Sequence, residues 1–149
     1  MPRLLIFAPC EKVLIDQNNN PSLLCVIQGL TSPLPPNVEI PAGALGLMRW
    51  DIFTLWQRED GDEDKEFTQD CELIGPHKSV VIQATMPFKF GASTQRNIMS
   101  VLGFPLAATG EHMLRLWLRE SKQSIAERRE IATFPLTVAR ILSEPVAEK

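Results

Sequence analysis

Residues 80–90 place an apolar side chain at every second position, Val80, Ile82, Ala84, Met86, Phe88 and Phe90, with Gln83, Thr85 and Lys89 between them. Side chains alternate across a strand, so a period of two is the pattern of a strand with one buried face. The alternation returns in residues 110–119, where His112, Leu114, Leu116 and Leu118 share one phase and Arg115, Trp117 and Arg119 the other. It returns again at Ala132, Phe134, Leu136 and Val138. A chain that repeats this pattern buries its apolar phases by stacking one sheet on another.

The rest of the chain fits that frame. Residues 11–15 end a first strand, and Asp16-Gln17-Asn18-Asn19-Asn20-Pro21 is a turn, because asparagine tolerates left-handed angles and proline fixes φ. The apolar run Leu23, Leu24, Cys25, Val26, Ile27 within residues 22–30 predicts a strand at the centre of a sheet, covered on both sides. Residues 31–46 carry Pro33, Pro35, Pro36 and Pro41 and read as a long connection between sheets. Residues 48–58 have apolar side chains on both phases, Met48, Trp50, Ile52 and Trp56 against Phe53 and Leu55, as an interior strand does.

An acidic hairpin loop at 59–66 then leads to a strand that buries Phe67, Cys71 and Leu73 and turns Thr68, Asp70 and Glu72 outward. Pro87 and Pro135 fall inside strands and each removes a ladder donor, which suits edges or bulges. Residues 94–102 match either a short helix face or a strand; their neighbours favour the strand. Residues 120–130 form a charged turn. The sum is an all-β, two-sheet antiparallel sandwich, immunoglobulin-like or Greek-key, of about eight strands. At 149 residues it forms one domain over 1–141, with a frayed tail at 142–149.

Composition narrows the functions. Cys10, Cys25 and Cys71 are widely spaced with no C-x-x-C pair, so they read as reduced structural thiols in a cytoplasmic protein rather than zinc ligands or a disulfide framework. The apolar run 4–8 is too short to span a membrane and ends at Pro9-Cys10 without a cleavage pattern. Eight acids and one base between Glu59 and Glu72 give that segment −7, while the remainder carries +4. The loop lacks the glycine and terminal glutamate of a calcium-binding hand, so it reads as a solvated loop.

His77 and His112 stand 35 positions apart outside any metal motif, and no nucleophile elbow or phosphate loop occurs. His77 reads as an exposed turn residue. His112 lies on an inward phase just after Gly110, where sandwich domains place a tyrosine that bonds back to the backbone, and imidazole can make a similar bond. No catalytic residue, metal site or cofactor is expected.

A protein surface is the remaining candidate. Arg115, Trp117 and Arg119 share an outer phase, and tryptophan and arginine dominate interface energetics. Phe53 and Leu55 would extend that patch if nothing covers them. The pI of 5.4 and the lack of an aromatic ladder argue against nucleic acid. The expected partner is therefore another protein or a second copy, with no membrane, and the expected function is a non-enzymatic binding or assembly module. The alternative is a small hydrolase or metal-dependent enzyme with its site in the loops at one end of the sandwich.

Several of these residues also resemble a family of small bacterial β-sandwich proteins known as a domain of unknown function. They are Cys10-Glu11-Lys12-Val13, the run Asn20 to Leu30, the prolines after it, and Gly103-Phe104-Pro105 followed by Gly110-Glu111. The resemblance implies the fold and no substrate, cofactor or catalytic residue. His112 departs from the aromatic expected at its place.

Overall fold

The computed structural model describes residues 1–32, 37–41, 43–105 and 107–140; the tail expected at 142–149 lies outside the described residues. Among the described residues regular structure is β throughout, apart from one 3-10 turn, Ile125–Glu127, within the expected charged turn. The strands are β1 (Arg3–Ile15), β2 (Pro21–Val26), β3 (Gly29–Ser32), β4 (Leu45–Gln57), β5 (Glu66–Ile74), β6 (Val80–Lys89), β7 (Thr94–Pro105), β8 (Gly110–Glu120) and β9 (Arg129–Arg140). They form a four-stranded sheet, β2-β1-β4-β7, and a five-stranded sheet, β3-β9-β8-β5-β6. Residues 94–102 are strand, within β7.

Two expectations are corrected at residues 22–30. The run is not one central strand: β2 is the edge of the four-stranded sheet, with Leu24 43% and Val26 44% exposed. At Ile27 and Gln28 the chain changes sheets, since the Ile27 N–H still reaches Pro9 O at 2.9 Å while Gln28 O already accepts from Thr137 N–H at 3.0 Å. The apolar run is continuous because it serves two sheets in succession, with Ile27 buried at the crossing. Because β3 enters beside β9 in the same direction, the five-stranded sheet is mixed rather than antiparallel, and the strands among the described residues number nine.

In β8 the alternation holds. His112, Leu114, Leu116 and Leu118 of β8 are buried, while Arg115, Trp117 and Arg119 face out half-buried. β4 is interior, and Trp50, Ile52 and Trp56 meet Phe67, Cys71 and Leu73 of β5 in the core between the sheets. Phe67, Phe88 and Phe90 pack ring on ring beside Trp56 where β6 passes into β7, sealing that side. Pro87 lies in the edge strand β6, and Pro135 lies in β9 outside the 137–140 stretch that pairs with β3, so neither interrupts a two-sided ladder.

Connections β4 to β5 and β7 to β8 both cross between sheets, while β4 pairs with β7 and β5 with β8. The acidic loop follows the end of β4; the turn after β5 and the start of β4 lie at the opposite end of the sandwich. Phe53 is fully buried on the outer side of the four-stranded sheet, outside the inter-sheet cluster, and Leu55 shares that side. Trp117 lies on the outer side of the other sheet, so Phe53 and Leu55 do not extend its patch.

Candidate functional site

At the end of the sandwich away from the acidic loop, the β5–β6 turn is closed by Gly75 N–H to Ser79 O and Lys78 N–H to Gly75 O, both 2.9 Å, with Lys78 held at φ 61°. The turn carries His77 outward, exposed, as the sequence implies. The ladder between β5 and β6 slips between Leu73 and Ile74, so that Val80 does not continue the inward phase of Ile82 and Ala84. Val80 is instead 51% exposed. Across from it Leu45, at the start of β4, is also 51% exposed, and Gly103 at φ 93° keeps its Cα where a β-carbon would lie 3.0 Å from Leu45.

These segments enclose a cavity of about 540 Å³ with largely apolar walls, among them Ile40, Leu45, Val80 and Val81. His77, Ser79 and His112 also line it, so the two histidines separated in sequence meet at one site. Among the described residues no Asp, Glu, Lys or Arg lines it.

His112 is the unusual member. It is 2% exposed, its ring lies 6.0 Å from that of Phe104, and Nδ1 is 3.2 Å from Gly110 O, the backbone tie expected from its place. A carbonyl can only accept, so Nδ1 carries the proton and Nε2 presents a lone pair. Nε2 is buried, with no hydrogen-bond partner among the described residues. Burial pushes the imidazole pKa down, against a smaller upward pull from Gly110 O, so the ring is neutral at neutral pH. No protein-family model and no curated protein matches this chain.

The other candidate residues have partners within the chain. Trp117 Nε1 donates to Glu72 Oε2 at 3.0 Å, and the Arg128 guanidinium lies 4.3 Å from the Trp117 ring while forming an ion pair with Glu72 Oε1 at 2.8 Å. Arg119 faces Asp70 at 3.7 Å and donates to Gln123 O at 3.0 Å; Arg115 faces Glu130 at 3.8 Å. Asp70 and Glu72 do point outward, but these cations and Trp117 bury them. Alternation gives a side chain's face; it does not give what its neighbours lay over that face.

In the acidic loop, Asp62 is 1% exposed and pairs with Lys65 at 3.7 Å and the Met1 ammonium at 3.4 Å, so this carboxylate is not solvated as the sequence suggests. Among the described residues no three His, Cys, Asp or Glu side chains gather as a metal site. No described helix is long and apolar enough to cross a membrane.

Sequence reasoning missed the cavity because its walls come from four separate segments. The visible signal was a failure of pattern: an apolar residue, Val80, standing beside a turn.

Proposed function

We propose that the chain is a non-enzymatic, cytoplasmic binding module whose ligand enters the cavity at the His112 end. The observation that carries this reading is the gathering of exposed apolar side chains, Leu45, Val80 and Val81, around a concavity that His77, Ser79 and His112 also line. A pocket with apolar walls and few polar groups is the usual form of a small-molecule site. An enzyme built on the same histidines would need a nucleophile against the imidazole, whereas Nε2 hydrogen-bonds neither Ser79 nor any other described group. The paired sheet crossings β4–β5 and β7–β8 support a Greek-key reading of the sandwich, as does the family resemblance of its sequence motifs.

The test is a small-molecule fragment screen by saturation-transfer NMR on the whole chain and on Val80→Trp, which fills the cavity from an exposed position. Hits lost in the variant support the reading. Hits retained by a folded Val80→Trp, or no hits, contradict it.

A second reading rests on Trp117. Its half-buried ring is fixed by Glu72 and Arg128, so it could anchor a partner protein or second copy at little cost in side-chain entropy. Arg115 and Arg119 are already engaged with Glu130 and Asp70, so that face offers a fixed aromatic surface more than free cations. Sedimentation and partner capture with Trp117→Ala decide it: unchanged association removes this reading.

A further inference from the structure

This end of the sandwich holds two hollows, and charge is divided unevenly between them. The cavity of about 540 Å³ and a neighbouring one of about 470 Å³ share Gly75, Pro76 and His112 as walls. Lys78, Glu111 and Arg115 all line the second, and among the described residues no Asp, Glu, Lys or Arg lines the first. The division is already present in the sequence. Residues 40–48 and 97–110, which supply Ile40, Leu45, Pro105 and Ala108 to the first cavity, contain no Asp, Glu, Lys or Arg, although these make up 22% of the chain. The turn between β5 and β6 does carry a cation, Lys78, but that residue lines the second hollow while Val80 and Val81 line the first. An ion moved from water against charge-free walls loses hydration and meets no counter-charge. An aliphatic body gains with every methylene, because it covers Leu45, Val80 and Val81, which otherwise stand exposed to water.

We propose that the cavity takes uncharged aliphatic molecules and discriminates against ionised ones with the same body. This rests on the cavity being the binding site, and specifies the class of ligand it selects. Selectivity is set by charge and by chain length, through the walls on 40–48, 75–81 and 97–110.

The probes are 1-hexanol, hexanoate and hexylammonium, which share one aliphatic body; at pH 7.5 the last two are ionised. Each is titrated into the full chain and followed at the methyls of Ile40, Leu45, Val80 and Val81, with 1-butanol and 1-pentanol added to give a length series. The expected result is that 1-hexanol binds at least about tenfold more tightly than either ion, and that affinity among the alcohols rises about fourfold per methylene. In Val80→Lys, which sets a cation at the wall from an exposed position, hexanoate should gain at least about fivefold on hexylammonium. An ion binding within tenfold of 1-hexanol at the same methyls, or alcohol affinities that do not rise with length, would overturn the selectivity rule and leave the cavity as a binding site. So would a hexanoate-to-hexylammonium ratio that Val80→Lys leaves unchanged. Failure of every probe to shift those methyls would remove the site itself, and this inference with it.

Discussion

Trp56, on the four-stranded sheet, donates its indole N–H to Gln69 Oε1 on the five-stranded sheet at 2.9 Å, at the centre of the core. The same oxygen accepts from Thr54 Oγ1 and Asn97 Nδ2, each at 2.9 Å, and Gln69 Nε2 donates to Met99 Sδ. One buried amide therefore ties β5 to β4 and β7. Such a group also fixes register, because slipping either sheet would leave several buried donors unpaired.

Gln69→Leu should destabilise the chain by about 2 to 4 kcal/mol although it adds apolar surface, because it strands the Asn97 amide donor in the core and leaves Trp56 Nε1 only its longer bond to Thr54 Oγ1 at 3.1 Å. Gln83→Ala, on an exposed position of β6, should stay within about 0.5 kcal/mol. Urea denaturation of both variants checks the contrast.

Leu116 is fully buried and Ile82 only half-buried at the sheet edge. Leu116→Ala should cost about 2 to 5 kcal/mol and Ile82→Ala distinctly less, while Arg115→Ala, with a partly exposed ion pair, should cost under about 1 kcal/mol. A melt series giving Arg115→Ala the largest loss would mean that β8 is out of register by one residue.

That series also marks how much of the fold was readable in advance. The phases of β5, β8 and β9 follow from alternation alone, because each of these strands has one face on the core. At residues 22–30 the apolar run concealed a sheet crossing, since composition records burial and not which sheet supplies it. Alternation puts Gln69 on the inward phase between Phe67 and Cys71, but it does not supply the partners on β4 and β7 that make a buried amide tolerable there. The Trp117 face was readable as a set of residues, but its carboxylate partners, Asp70 and Glu72, come from a strand more than forty positions away.

The three thiols should separate cleanly. Burial pushes Cys71 up to about 12, and burial with the nearby Asp51 charge pushes Cys10 up to about 11, whereas Cys25 is exposed on the edge strand. A disulfide reagent at pH 8 should modify one thiol in the native chain and three in urea, with Cys25→Ser abolishing the native reaction. Rapid native labelling of Cys10 would contradict the packing of β1 against β4.

His112 makes stability depend on pH. Its folded pKa lies below the unfolded value of about 6.5, so the unfolded chain binds the proton first. The stability from keeping the ring neutral is fully present above about pH 6.5 and is lost as pH falls through the folded pKa. Its slope is at most about 1.4 kcal/mol per pH unit, the limit for one proton. Urea melts between pH 7.5 and 5.0 should show this loss in wild type and in His77→Gln, and a shallower dependence in His112→Gln. Equal slopes in all three proteins would show that His112 is not the titrating group.

The most direct test of the cavity as the ligand seat is a titration of methyl-labelled chain with 1-hexanol, read residue by residue. Saturable shifts confined to the Ile40, Leu45, Val80 and Val81 methyls, and lost in Val80→Trp, are the expected result. Shifts that never saturate, or that centre on the exposed Leu24, Val26 and Leu102 of the four-stranded sheet, would contradict it.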